Sequence, residues 1–229
     1  MASTISSRLA DVRRRIEAAA IASDRDPAAV TLVAVGKTFP PDVLAAAVTA
    51  GAAHLGEIRV QETAAKKPVV PAARWHLIGP LQRNKARRAL ELFDVIHTVD
   101  RPDLVQRLEY LLTQHWPERR QPILIEVNVG REPQKSGVLP EDAATLLTTA
   151  LASAHIEVTG LMAIPPQTSD PEESRWHFRS VRELRDRLQD RCGAALPDLS
   201  MGMTQDFEIA VAEGATMVRV GTAIFGPRA

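Results

Sequence analysis

The sequence predicts an α/β protein folded as a single (β/α)8 barrel with an extra helix at its N-terminus. Short apolar segments rich in valine and isoleucine alternate with amphipathic segments, and eight of the apolar segments read as strands. The 229 residues fall slightly short of the roughly 250 typical of such barrels. An open doubly wound sheet is the alternative, but no glycine fingerprint for a dinucleotide follows the first strand. No linker rich in Gly or Ser interrupts the chain, so we expect one domain over residues 1–229.

The chain opens with an amphipathic helix over residues 8–22, where Leu9, Val12 and Ile16 recur at helical spacing. The apolar segments that follow predict strands at residues 30–37, 53–57, 74–79, 95–99, 123–129, 156–164, 198–201 and 216–224. Amphipathic segments, bounded in several cases by Gly or Pro, predict helices at residues 41–50, 60–67, 84–92, 103–115, 141–152, 171–190 and 205–213. Each strand except the last is therefore followed by a helix.

The charge balance and the cysteine content limit the classes of function. The sequence has 28 Lys and Arg against 28 Asp and Glu, which argues against bulk binding of nucleic acid or of an anionic membrane. A single cysteine, Cys192, excludes an intramolecular disulfide and an all-cysteine metal site. No histidines cluster with acidic residues at ligand spacing, so we predict no metal. Without a secretory signal or a long apolar run, a soluble cytoplasmic protein is expected.

The first predicted strand ends on Lys37, a costly place for a cation unless its amine has a task. Active sites of these barrels lie at the carboxyl ends of the strands. Beside apolar residues, a lysine amine can lose hydration, lower its pKa and attack a carbonyl group. An aldehyde that carries a phosphate would suit it, and both pyridoxal phosphate and sugar phosphates meet that description. The alternative is a lysine that extends its amine into solvent.

The segments after the seventh strand and within the eighth supply candidates for a phosphate site. Ser200 and Gly202 belong to the first segment, and Gly221 and Thr222 belong to the second. Phosphate sites in these barrels are frequently formed by the loops after strands seven and eight. Glycine lets backbone N–H groups approach a phosphate, and Ser and Thr add hydroxyl donors. Each residue alone could equally be an ordinary turn residue.

Arg219 lies within the eighth predicted strand between two valines, and strand alternation can turn its side chain into the barrel. Near a pyridine nitrogen, a guanidinium would discourage protonation of the ring and make the cofactor a weaker electron sink. An internal ion pair with Glu57 or Glu126 is the alternative. Lys135, in a loop after the fifth strand, could reach the pocket. The basic stretch at residues 83–88 could be a solvated helix start or an anion-contacting patch.

Several segments in this order resemble the YggS/PROSC family, the pyridoxal phosphate homeostasis proteins, from about residue 30 to residue 226. The segments that carry the resemblance are LVAVGKT (32–38), LGE and VQE (55–62), WHLIGPLQRNK (75–85), HTVD (97–100), EVN (126–128), KSG (135–137), GLMAIP (160–165), LSMGMT (199–204) and MVRVGTAIFG (217–226).

The resemblance implies a barrel like the N-terminal domain of alanine racemase, with pyridoxal 5'-phosphate held as an internal aldimine on Lys37. It implies that Ser200, Gly221 and Thr222 hold the phosphate. It also implies that Arg219 faces the pyridine nitrogen, and that the pocket is lined by His76, Met162 and the Gly202 backbone. The family is regarded as storing or handing over the cofactor, with apo enzymes as possible recipients, and a monomer is expected because no second domain is present.

Ile58, Arg59, Gly36 and Gln205 depart from the residues most frequent in the family, and Ile58 cannot form a hydrogen bond to a cofactor. A pyridoxal phosphate enzyme of the amino-acid racemase type is the alternative function. Two-sided proton transfer would need a second base opposite Lys37. The single tyrosine, Tyr110, falls in a predicted outer helix. A Schiff-base aldolase acting on a sugar phosphate is a third hypothesis, and it would need an acid–base group such as Glu57.

Overall fold

Eight parallel strands form a closed barrel in which each strand pairs with the next and β8 pairs with β1. The computed structural model describes residues 4–227. The predicted barrel is confirmed, with strand ends that differ from the sequence prediction by a few residues. The strands are β1 Thr31–Val35, β2 His54–Glu57, β3 Arg74–Leu77, β4 Val95–Val99, β5 Gln121–Val127, β6 Ile156–Ala163, β7 Asp198–Ser200 and β8 Met217–Val220.

Helices follow the strands and form the outer layer. They are α1 Ile5–Ile21, α2 Pro41–Thr49, α3 Val60–Lys66, α4 Ala86–Leu92, α5 Pro102–His115, α6 Ala143–Leu151, α7 Ser174–Cys192, α8 Phe207–Ala212 and α9 Thr222–Phe225. Single turns of 3-10 helix lie at Pro27–Ala29, Arg83–Lys85 and Pro171–Glu173. No helix within residues 4–227 is long and apolar enough to cross a membrane.

The prediction of one strand over residues 216–224 was wrong in its second half. The strand ends at Val220, the backbone turns at Gly221, and Thr222–Phe225 is a short helix, α9. A short apolar run does not distinguish a strand from a buried helix, and Thr222–Phe225 is such a run. The eighth strand therefore has a helix after it, like the other seven.

The N-terminal helix α1 lies outside the barrel, where it packs against α8 and α9. It starts before the predicted residue 8, because the Thr4 hydroxyl accepts a hydrogen bond from the Ser7 backbone and caps the helix. Its apolar face, Leu9, Val12, Ile16 and Ala20, is buried. At the contact between α1 and α8, which we call the seam, the Arg15 guanidinium donates two 2.8 Å hydrogen bonds to the Glu208 carboxylate.

The main apolar core lies between the strands and the helices, whereas the interior of the barrel is partly polar. Val95, Leu124 and Met162 form a small separate apolar cluster inside. His97 on β4 contacts Ser200 on β7, and because these strands are not neighbours the contact crosses the barrel interior. Branched apolar residues usually dominate this interior, so the buried polar side chains here need a specific account.

Candidate active site

A cavity of about 850 Å³ opens at the carboxyl ends of the strands. Its wall includes residues from the loops after β1, β5, β6, β7 and β8. This is the end of the barrel where ligand sites are found in this architecture. Four of the predicted site residues line it, namely Lys37, Arg219, Gly221 and Thr222.

Lys37 follows the end of β1 by two residues, and the backbone there is closely packed. A Cβ atom on Gly36 would lie 2.8 Å from Cδ2 of Leu44, so glycine leaves room for this side chain of α2. Thr38, directly after the lysine, has a positive φ of 71°. This conformation is uncommon for a residue other than glycine, and it turns the chain away from the barrel immediately after Lys37.

A buried ion pair between Lys66 and Glu57 contacts the backbone directly before Lys37. The Lys66 Nζ atom donates to Oε1 of Glu57 at 2.7 Å and to the Gly36 carbonyl at 3.0 Å. Glu57 is fully buried, and its Oε2 atom has no hydrogen-bond partner. Burial raises the pKa of Glu57 despite the hydrogen bond and the charge of Lys66. Glu57 therefore pairs with Lys66, and not with Arg219 as the sequence had suggested as an alternative.

Arg219 points into the barrel, as strand alternation had predicted, and its guanidinium reaches the floor of the cavity. Nη1 donates to Oγ of Ser200 at 2.7 Å, and Nη2 donates to the carbonyl of Ala163 at 2.9 Å. Burial lowers the pKa of Arg219 to about 10, so the group stays charged at neutral pH. The nearby Glu126 carboxyl, with its pKa raised to about 7 by burial and by Asp100, partly offsets that charge.

Gly221 and Thr222 line the cavity where β8 passes into α9. A Cβ atom on Gly221 would lie 3.3 Å from the Val35 carbonyl, so glycine allows the ends of β8 and β1 to approach closely. Thr204 also lines the cavity, although the sequence analysis had not selected it. Its hydroxyl group within the glycine-rich segment after β7 was the available signal.

The other four predicted residues lie outside the cavity wall as the structure describes it. Ser200, His76 and Met162 are buried in the barrel, and the Ser200 hydroxyl is engaged by Arg219 and His97. Gly202 has a φ of +89°, and a Cβ there would lie 2.5 Å from the Cβ of Ala210. Its conformation therefore serves close packing against α8. Contacts of these four residues with a cofactor remain predictions.

Lys135 reaches the cavity wall from the loop after β5. Its Nζ atom lies 2.5 Å from the Glu132 carboxylate and donates to the Pro165 carbonyl at 3.0 Å. In the basic stretch at residues 83–88, Arg87 and Arg88 instead pair with Glu91 on the outer surface. Among the described residues, no group of three or more His, Cys, Asp or Glu side chains is arranged to hold a metal ion.

Ile58 lines the cavity at the position where the resemblance had raised doubt about a polar contact. It packs close to Gly79, where a Cβ would lie 2.4 Å from the Ile58 carbonyl oxygen. The wall is thus apolar at this point, and hydrogen-bonding side chains of the cavity come from the loops after β1, β5, β6 and β7 and from β8.

This chain is a (β/α)8 protein with a candidate ligand site at the carboxyl ends of its strands. The closed barrel, the lysine after β1 and the cavity beside β7 and β8 place it in that class. Residues 9–229 match the family model described as alanine racemase, N-terminal domain. An alanine racemase of Clostridium difficile in complex with cycloserine shares this fold, with a TM-score of 0.74 at 11% identity, over 95% of this chain and 60% of that one.

Closer similarity is found to proteins named pyridoxal phosphate homeostasis protein. The protein of Aquifex aeolicus is 41% identical over 96% of this chain and 97% of its own length. That of Escherichia coli K12 is 38% identical over 98% and 97%. PipY of Synechococcus elongatus, solved with pyridoxal phosphate bound, matches with a TM-score of 0.85 and 36% identity over 97% of this chain and all of that one. The chain therefore belongs to the family of pyridoxal phosphate homeostasis proteins.

Proposed function

We propose that this protein binds pyridoxal 5'-phosphate covalently through Lys37 and holds it in reserve for vitamin B6 homeostasis, without sustained catalysis of its own. The observation that carries the proposal is that one cavity brings together the Lys37 side chain, the buried Arg219 guanidinium and the Gly221–Thr222 turn. The solved complex of PipY with pyridoxal phosphate and the names of the relatives support it.

The residues present fit this cofactor. The cavity of about 850 Å³ is larger than one such molecule requires. The amine of Lys37 suits an aldehyde, and the backbone of Gly221 with the hydroxyl groups of Thr222 and Thr204 suits a phosphate. Arg219 supplies a charged donor for the pyridine nitrogen, which can only accept.

The chemistry at the site follows from these residues. Lys37 would hold the cofactor by a double bond from its nitrogen to the aldehyde carbon, with the aldehyde oxygen lost as water. When bound, the cofactor supplies a carbonyl equivalent and a ring that can accept electrons. Arg219 keeps its charge at neutral pH, so it disfavours a proton on the ring nitrogen and weakens that electron-accepting property. This arrangement suits retention of the cofactor better than turnover of amino acids.

The structure offers little support for a racemase, the alternative function. Racemisation by two-sided proton transfer needs a second base opposite Lys37. Tyr110, the single tyrosine, lies on α5 with 55% of its surface exposed and does not line the cavity. We further propose that the chain acts as one domain and as a monomer in the cytoplasm, and that apo enzymes receive the cofactor from it.

Reduction with borohydride tests the proposal directly. The protein is incubated with pyridoxal phosphate, reduced and digested, and the modified peptide is identified by mass spectrometry. We expect the label on Lys37 and a visible absorbance band that is lost in Lys37→Ala. Lys135→Ala is the matched control, because Lys135 also lines the cavity, and it should keep both. A colourless wild-type protein, or a label on another lysine, would refute the assignment.

A second measurement separates a carrier from an enzyme. The loaded protein is incubated with single L-amino acids, and the D-enantiomer is followed by chiral chromatography. We expect no sustained formation of the D-enantiomer over many equivalents of protein. Steady turnover that depends on Lys37 would instead establish the racemase alternative.

A further inference from the structure

A continuous line of hydrogen bonds crosses the interior of the barrel. Nδ1 of His54 lies 2.9 Å from Nε2 of His76, and Nδ1 of His76 lies 2.8 Å from Nε2 of His97. Nδ1 of His97 lies 2.9 Å from Oγ of Ser200, which accepts from Arg219 at 2.7 Å. We call His54, His76, His97 and Ser200 the interior relay; it ends at Arg219.

The interior relay joins the two ends of the barrel. His54 is the first residue of β2 and lines a smaller cavity of about 280 Å³, together with Thr31 and Leu32 from the start of β1. Arg219, at the other end of the line, lines the large cavity that contains Lys37. His76, His97, Ser200 and Arg219 are all at least 97% buried, so the line is shielded from solvent along most of its length.

Burial favours the neutral form of all three imidazoles, and hydrogen bonds between neutral rings couple their tautomers. Burial lowers the pKa of His76 to about 3 and holds the pKa of His97 well below its ordinary value. Burial and the charge of Arg74 lower the pKa of His54. A neutral imidazole has one donor and one acceptor nitrogen. A choice of tautomer at one histidine therefore fixes the direction of every bond along the line.

Arg219 determines that direction. Within residues 4–227, the Ser200 hydroxyl has two side-chain partners, Arg219 and His97. The guanidinium can only donate, so Oγ accepts from it, and the hydroxyl hydrogen is left to donate to Nδ1 of His97. The opposite direction would leave this buried hydrogen without either partner, which is unfavourable because a buried donor then goes unsatisfied.

We propose that His97 and His76 are positioning residues for Arg219, and that the interior relay is fixed in one direction with the imidazole hydrogen on Nε2 of all three histidines. In this direction Ser200 is held as an acceptor, and it keeps the guanidinium turned toward the large cavity. The direction of the relay is independent of the proposed function. The expected effect of the relay on cofactor binding does rest on the proposed function, because it assumes that Arg219 faces the pyridine nitrogen.

Nitrogen-15 NMR of the cofactor-free wild-type protein, labelled at histidine, tests the direction. We expect Nε2 to be protonated and Nδ1 to be bare in His54, His76 and His97, assigned by loss of one signal in each His→Gln variant. His155 is an internal control of opposite kind, because its Nδ1 lies 2.8 Å from the Glu109 carboxylate and should carry the hydrogen. Protonated Nδ1 in His97 or His76, or a doubly protonated ring at neutral pH, overturns the proposal.

Two substitutions of His97 test the positioning role. The amide of His97→Asn lies near the place of Nδ1 and can still accept from Ser200, whereas the amide of His97→Gln lies near the place of Nε2 and cannot. We expect His97→Asn to bind pyridoxal phosphate as the wild type does. His97→Gln should bind roughly tenfold more weakly and shift the pH dependence of the visible absorbance band.

The outcomes distinguish the two proposals. Equal behaviour of the two His97 variants overturns the positioning role, because a general packing defect would affect both. Failure of the wild type to bind pyridoxal phosphate refutes the proposed function and leaves the NMR result to decide the direction of the relay. If neither His97 variant folds, the signal of His97 is assigned by elimination from the His→Gln variants of the other histidines, and the wild-type spectrum then decides the direction of the relay.

Discussion

Replacing Lys66 by methionine should destabilise the protein by about 3–5 kcal/mol at neutral pH, because it leaves a buried carboxylate without its partner. Glu57 is fully buried, and Lys66 has only 7% of its side chain exposed. The substitution removes the 2.7 Å bond to Glu57 and the 3.0 Å bond to the Gly36 carbonyl together. Methionine keeps most of the volume, so the change mainly reports on charge.

The loss should depend on pH. Burial already raises the pKa of Glu57 in the folded protein. Removal of Lys66 takes away the hydrogen bond and the positive charge that oppose this rise, so the pKa of Glu57 should rise further. Below the unfolded pKa of about 4.5, Glu57 is protonated in both states and the missing cation matters least. As the pH rises from the unfolded pKa through the raised folded pKa, Glu57 loses its proton more readily in the unfolded state than in the folded state. The stability of the variant therefore falls further below that of the wild type.

Urea unfolding at about pH 5 and pH 8 measures these differences. Lys67→Met is the matched control, because Lys67 is more exposed and bonds mainly to the Leu92 carbonyl; it should lose about 1 kcal/mol or less. In a Glu57→Gln background, Lys66→Met should cost at least about 2 kcal/mol less than in the wild type. A loss below about 1 kcal/mol that is equal at both pH values would refute the reasoning.

Three further predictions concern other buried positions. Glu126→Gln should lose less stability than the wild type as the pH rises through about 7. Burial raises the pKa of Glu126 from 4.5 to about 7, and ionising this buried group therefore costs the folded wild type about 3 kcal/mol. Equal pH profiles of the two proteins in urea unfolding would contradict it. Gly202→Ala should lower the free energy of unfolding by at least about 2 kcal/mol, against about 1 kcal/mol for the control Gly193→Ala. Both positions have a positive φ, but only at Gly202 would the added Cβ clash with a neighbouring atom, the Cβ of Ala210. Equal thermal shifts of the two variants would disprove the clash. Glu213→Gln should destabilise by about 1–3 kcal/mol at pH 7 and less in acid, because the arginines of α7 outweigh burial and lower the pKa of Glu213; a loss that grows in acid would exclude this account.

The barrel could be predicted because its local patterns agree with its architecture. Val95–Val99 was predicted with its observed bounds, since every residue in it is apolar or β-compatible and flanking polar residues mark both ends. Thr222–Phe225 was assigned wrongly to a strand because four residues carry too little periodicity to identify a helix. The pairing of β8 with β1 depends on long-range closure, and it followed from the class of fold.

The candidate site was predicted less completely. Lys37 and Arg219 could be identified because a charge in an apolar strand is costly and therefore conspicuous. The partners of these charges could not be identified, because contacts such as that between His97 and Ser200 cross the barrel between strands that are distant in sequence. Ser200 was interpreted as a phosphate ligand from its place at the carboxyl end of β7, but its side chain is buried beside Arg219, and the sequence alone does not show which way it points.

The seam between α1 and α8 has a consequence for the order in which the chain folds. Arg15 and its partner Glu208 are separated by 193 residues. At ordinary rates of synthesis, on the order of 10–40 s pass between the emergence of these two residues from the ribosome. During that interval the apolar face of α1 lacks the surface that covers it, and only its arginine-rich face favours solubility. Docking of α1 is therefore a late event, and substitutions on this seam should mainly accelerate unfolding and leave early folding steps unchanged.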